Sequence, residues 1–427
     1  MNRRRLVAAL GAAVVMVGAS ACSGGGSSGA RKSASSYEGK KLVVWLMAGD
    51  NLPSWMASVK AQFEQQYPGA TVDFQTKQWT DIQATVTNAL SMMTPPDIYD
   101  IGNTQTAYYA STGGLMELDT YKAQLGGADW TPSMNKSTLV GGKQFAAPWY
   151  AGSRAVMYNK TLWDRAGLTP PTTMAEWLTD LAKLKQTSGV KSALYLPGQN
   201  WYAFDGFLQD AGADVLTEQS GRWAGDLSSP QALQAAQLFK TLNGFGTAPV
   251  DQDESHPLES SVFAKGDVAS MIAMGYEETA AEKDNPQLAG KIGWFPIPGT
   301  TPDQPAKTFF GGSNLAITQG SKNPELAQDF LKLAMSDQFE GELAKEGGIV
   351  PNKASLDSNL VGNEFGTVSA AAAANGGTTP LIPAWGSVEN APNPITTLFM
   401  TGVLQGQSPS AAAQKADKEI DKRLSQQ

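Results

Sequence analysis

Few side chains of this sequence could do covalent or metal chemistry. Only one Cys (Cys22) and one His (His256) occur in 427 residues. An internal disulfide, a Cys-rich zinc site and any site needing two imidazoles are therefore excluded. Gly311-Gly312-Ser313-Asn314 lacks the Lys-Ser/Thr that completes a phosphate loop. Asp251, Asp253 and Ser255 open like a calcium loop, but His256 stands where glycine is needed and Val262 where a bidentate acid is needed. That stretch reads as a solvated acidic loop, and no metal or cofactor is expected. The acid pairs Asp97 with Asp100 and Glu277 with Glu278 offer an acid and a base on paper, yet adjacent acids on a strand or loop seldom face one another.

Non-covalent recognition remains. The chain holds 11 Trp, 11 Tyr and 15 Phe, rings that suit the apolar faces of sugars as well as a core. Sugar rims need side chains that both donate and accept. Asp50 follows the first strand candidate, and Asn103, Thr104 and Gln105 follow the one at Asp97; both sets fall at the C-terminal edge of a parallel sheet, where such sheets bind ligands. The same residues also suit turns and helix caps. The net charge of −8 opposes a nucleic-acid partner.

The elements that must position these residues follow from periodicity. Lys41–Leu46, Thr71–Gln75 and Asp97–Ile101 read as strands, while Trp55, Val59, Phe63 and then Ile82, Val86, Leu90 mark helix faces between them. That alternation predicts a parallel α/β layer. Thr173 with Glu176 has capping-box spacing ahead of Trp177, Leu178, Leu181 and Leu184. Asn323-Pro324 opens a helix with Leu326, Phe330 and Leu333 inward. Ala412, Ala416, Ile420 and Leu424 predict a closing surface helix. At 427 residues, two lobes are expected.

The N-terminus addresses the compartment. Arg3-Arg4-Arg5, the short apolar run Leu6–Val17 and Ala19-Ser20-Ala21 read as an export signal. Cys22 follows at once, then a Gly/Ser-rich tether. The arrangement resembles a bacterial lipobox, which implies lipidation of Cys22.

Four further stretches together resemble the extracellular solute-binding proteins of bacterial carbohydrate ABC importers, the group that includes maltose-binding protein. They are Val43–Asp50, Pro96–Thr104, Ala147–Tyr150 ahead of Met157–Lys160, and Phe310–Ile317. The resemblance implies an α/β, two-lobed periplasmic-binding-protein-like fold with an interlobe ligand cleft and multiple hinge crossovers. Mapped here, residues 1–21 are the leader, 22–40 the tether, 41–147 plus 308–345 lobe one, and 148–307 plus 346–427 lobe two. Pro148 would mark the first crossover or a simple turn. The resemblance also implies the ligand-binding set. Trp149, Tyr150 and Arg154 flank the hinge, with an ion pair inside a lobe as the other role for Arg154. Gln199 and Trp201 lie where the second lobe has cleft contacts, and Tyr276 and Glu277 where Gly-Trp-Glu often stands. Gly312 and Asn314 return the chain to the first lobe, and Trp385 occupies the place of a late cleft aromatic or of a core ring. The implied function is oligosaccharide binding, with diacetylchitobiose preferred over cellobiose or trehalose. Delivery would be to ABC permease subunits, by a non-enzymatic monomer anchored on the extracellular face of the membrane. A secreted polysaccharide-degrading enzyme and a sugar sensor for a membrane receptor are the alternatives.

Overall fold

The computed structural model describes residues 37–373 and 376–426. Cys22, the leader and most of the tether lie outside the described residues. Within the stretch expected as tether, Tyr37 is buried and stands edge-on to Tyr67 at 5.3 Å, so it packs on the first lobe ahead of the first strand.

The predicted alternation forms the first sheet. β1 (Lys41–Met47), α1 (Pro53–Gln66), β2 (Thr71–Lys77), α2 (Ile82–Leu90), β3 (Ile98–Gly102) and α3 (Thr106–Ser111) follow in order. β1 lies between β2 and β3, parallel to both. Trp55, Val59 and Phe63, one turn apart along α1, are all buried beneath the sheet. Three later segments complete it in antiparallel sense: Phe310–Ile317 beside β3, Ala147–Ser153 beside that, and Val350–Pro351 at the edge.

Pro148 does not mark a crossover. It lies inside the strand Ala147–Ser153, and the chain leaves the first sheet only at Arg154, because Ala155–Asn159 already belongs to the second. That second sheet has three strands, Ser270–Ala273, Ala155–Asn159 and Ile292–Phe295, antiparallel throughout. The chain returns to the first sheet between Phe295 and Phe310.

Helices cover the second sheet. Thr173 Oγ1 accepts from the Glu176 amide at 3.2 Å and the Glu176 carboxylate accepts from the Thr173 amide, closing the predicted capping box on Met174–Leu184. Asn323 behaves differently from its expected capping role: its side chain donates to the Lys41 carbonyl at 3.2 Å and ties the following helix to β1. The closing helix, Pro409–Leu424, buries Ala412, Ala416 and Ile420. The principal cores are separate, one on each sheet.

Candidate functional site

The groove between the lobes is lined on one side by the C-terminal ends of β1 and β3. β1 ends in a turn where Gly49 takes φ +100, and a Cβ there would lie 3.3 Å from the Tyr276 ring. Only a glycine lets the first lobe approach that ring so closely. Tyr276 opens a helix of the second lobe and is 48% exposed, so its ring faces the first lobe while much of it stays open to solvent.

Beside Gly49, Asp50 meets Asp100 of β3 and Tyr150, and Ser313 bonds to Asp100. Burial pushes the Asp50 carboxyl well above its usual range, and the Asp100 charge pushes it further. Burial lifts Asp100 to about 6, against the Met47 amide, which donates to it at 2.9 Å. Both carboxyls are thus held above the ordinary carboxylate range, and they titrate as a pair. Ser313 Oγ donates to the Tyr150 hydroxyl at 3.3 Å.

The other residues expected on this edge are bound into the framework. Asn103 donates from its side chain to the Phe310 carbonyl at 3.0 Å and from its amide to the Gly312 carbonyl at 2.9 Å. Gln105 accepts from the Tyr109 hydroxyl at 2.9 Å. Asn314 donates to Thr106 at 2.9 Å and Ser137 at 3.1 Å. Gly312 serves the sheet: with φ +150, a Cβ would fall 2.2 Å from the Tyr150 carbonyl. Its close approach is to the neighbouring strand and not to the groove. Trp149 is fully buried in the first core, 5.3 Å from Trp55, and does not reach the groove.

On the second lobe, Arg154 forms an ion pair with Glu254 and lies 5.0 Å from the Tyr202 ring centroid. Burial and the Glu254 charge raise Glu277 to about 7, while its bond from the Met274 amide, 2.8 Å, and Arg154 oppose the rise. Trp201 and Tyr202 pack with centroids 4.0 Å apart, and Phe309 and Trp385 lie 6.3 and 6.2 Å from Trp201. Trp385 is entirely buried in the second core, so its expected place as a cleft aromatic gives way to the core role. Gln199 turns away to Thr401, donating at 3.2 Å. Thr104 donates to Glu389 at 3.0 Å.

Asp50, Arg154, Tyr276 and Glu277 thus come together around Gly49, Tyr202 and Thr104, whereas Trp149, Gln199, Asn314 and Trp385 do not join them. Two residues escaped the sequence reading. Trp79 follows β2, is 37% exposed, and comes 3.6 Å from where a Cβ on Gly102 would lie; a tryptophan in the polar run Lys77-Gln78-Trp79-Thr80-Asp81 is the signal that could have found it. Glu389 is the other, and nothing local distinguishes it from a surface acid.

The suggested acid pairs do not converge. Asp97, just ahead of β3, accepts from the Val43 amide at 2.9 Å, while Asp100, in the middle of β3, accepts from the Met47 amide. Glu278 accepts from Trp294 at 2.6 Å, whereas Glu277 accepts from Met274. In the acidic loop, the Asp253 carboxylate accepts from the amides of Ser255 and His256, both at 2.9 Å.

Comparison with known proteins gives a consistent picture. The profile described as bacterial extracellular solute-binding protein matches residues 48–340. A relative in Streptomyces coelicolor, the diacetylchitobiose binding protein DasA, is 43% identical over 427 residues, covering all of both chains. A putative binding protein of Brucella abortus is 26% identical over 385 residues, 86% of this chain and 90% of that one. Among solved structures, the GacH receptor of Streptomyces glaucescens, known unliganded and with acarbose, superposes with a TM-score of 0.79 at 24% identity, over 90% of this chain and 98% of that one. The sugar-binding protein MalE of Xanthomonas citri gives 0.75 at 21% identity, over 91% and 98%. Both similarities are of fold.

Proposed function

The chain belongs to the family of bacterial extracellular solute-binding proteins, and from that premise we propose that it captures a disaccharide outside the cell, diacetylchitobiose ahead of cellobiose or trehalose, and hands it chemically unchanged to an ABC transporter permease. The observation that carries the reading is the half-exposed Tyr276 ring set against Gly49 across the groove, beside carboxylates that accept from hydroxyl and amide N–H groups. The preference for diacetylchitobiose follows the named ligand of the 43% identical relative.

In this reading Tyr276 and Trp79 are apolar plates, and Asp50, Arg154, Tyr202 and Glu277 are the polar contacts. Sugar held by both lobes favours the shut form, which docks on the permease. The leader is removed, Cys22 carries the lipid that keeps the protein at the extracellular face of the membrane, and the protein acts as a monomer.

A thermal-shift screen with diacetylchitobiose, cellobiose and trehalose, followed by product analysis, tests this. The expected result is a rise in melting temperature, largest with diacetylchitobiose, and intact sugar afterwards. Released monosaccharide, or no shift with any sugar, would overturn it. Tyr276→Ala and Trp79→Ala are each expected to weaken binding by about 1–2 kcal/mol in calorimetric titration. Unaltered affinity in both variants would remove the stacking argument.

A further inference from the structure

The geometry points to Glu389 as a positioning residue that locks the two lobes together and orients Tyr202 in the groove, an inference that rests on the sugar-binding reading above. Glu389 ends the helix Trp385–Glu389, whose Trp385 and Val388 are packed in the second core. One of its carboxylate oxygens accepts from Thr104 Oγ1 at 3.0 Å and from the Tyr202 hydroxyl at 2.9 Å. The other accepts from Trp385 Nε1 at 3.0 Å. Thr104 lies just past β3 on the first sheet, while Tyr202 and Trp385 belong to the second lobe, so one carboxylate collects donors from both sides of the groove.

The seat around it is close-fitting. Gln83 of α2 donates to the Gly386 carbonyl at 3.0 Å, and a Cβ on Gly386 would lie 2.6 Å from the Tyr108 ring of α3. The helix carrying Glu389 therefore rests directly on two helices of the first lobe. Burial raises the Glu389 pKa, and the bonds from Tyr202, Thr104 and Trp385 lower it. A buried carboxylate needs such donors, because hydrogen bonds to a charged group are stronger than neutral ones and their loss is costly. Two of the three donors travel with Glu389 in its own lobe; only Thr104 must arrive from across the groove. Its bond consequently exists when the lobes are shut and is lost when they part. The same carboxylate fixes the Tyr202 hydroxyl, and the Tyr202 ring is the surface over which Arg154 lies. Closure and the shape of the groove floor are thereby coupled through one side chain.

The test uses the full chain with Thr104→Val, Thr104→Ser, Glu389→Gln and the Val/Gln double variant. Diacetylchitobiose titration and dissociation rates are combined with X-ray scattering of the sugar-free proteins. Thr104→Val and Glu389→Gln should each weaken binding about tenfold, mainly through faster dissociation. The double variant should be no weaker than the poorer single one, and Thr104→Ser, which keeps the hydroxyl, should bind like the unmodified protein. The sugar-free Val and Gln variants should show a larger radius of gyration. Unchanged affinity in both singles, or additive losses in the double, would overturn the lock. If the unmodified protein binds none of the sugars, the sugar-binding reading fails by itself; identical scattering from all the proteins would then overturn the lock independently.

Discussion

Trp149→Ala is expected to lower the unfolding free energy by about 3–5 kcal/mol, a large part of the 5–15 kcal/mol typical of a folded domain. The ring is fully buried, 5.3 Å from Trp55 and 5.4 Å from Tyr150, in the core formed by α1 and the first sheet. Truncation to alanine leaves a cavity that the strand Ala147–Ser153 cannot fill, since it is paired on both edges. Trp149→Phe should cost much less. It keeps a ring in the site and removes an indole N–H that has no hydrogen-bond partner among the described residues. Urea unfolding followed by circular dichroism measures both. An alanine variant as stable as the unmodified protein but unable to bind sugar would return Trp149 to the groove.

The second large effect depends on pH. Asp205 lies buried in the helix Trp201–Asp210, where burial first, and then the Asp214 charge, push its carboxyl up to about 8 against a 2.6 Å bond from Gln209. Glu389 adds to the rise from the groove side. Because the folded pKa lies above the unfolded one, near 3.8, the folded state retains a proton that the unfolded chain has released. The contribution is complete below the unfolded value and is lost as pH rises through the folded one. Asp205→Asn removes that titration. Its stability relative to the unmodified protein should therefore climb between pH 5 and pH 8, by about 4 kcal/mol at 1.36 kcal/mol per pH unit. Urea midpoints across that range report the difference, and parallel curves for the two proteins would show that Asp205 is ionised in the fold throughout.

Much of the scaffold was legible because its signals are local. Trp55, Val59 and Phe63 repeat at helical spacing, and Thr173 reaches Glu176 within one turn. The strand–helix alternation from Lys41 to Ile101 likewise yields the three parallel strands at the heart of the first sheet. Asp50 was legible for the same reason, since a residue just past a strand of a parallel sheet must lie at its C-terminal edge. The antiparallel strands that complete the sheet were not, because their partners are chosen across long stretches of chain: Asn314 pairs with Ile101.

The aromatic residues divide the two kinds of information most clearly. Trp149 and Tyr150 are adjacent on one strand at an irregularity, where Ser313 pairs with Tyr150 and Asn314 with Pro148, and both rings join the first core 5.4 Å apart. Nothing in the local sequence says that Trp149 is sealed against Trp55 while Tyr150 reaches Asp50. Trp385 and Tyr276 both have a place in the family pattern, yet one is sealed in the second core and the other stands half open across from Gly49. Glu389 has no local mark at all, and its three donors come from residues 104, 202 and 385. By itself the sequence determined the helices, the parallel strands, the family and the kind of side chain available for a sugar, since propensity, period and capping act over a few residues. Which rings line the groove, which polar groups are consumed by the framework and where a carboxylate joins the lobes were decided only by tertiary structure, because burial and hydrogen-bond pairing depend on segments that meet only when the chain is folded.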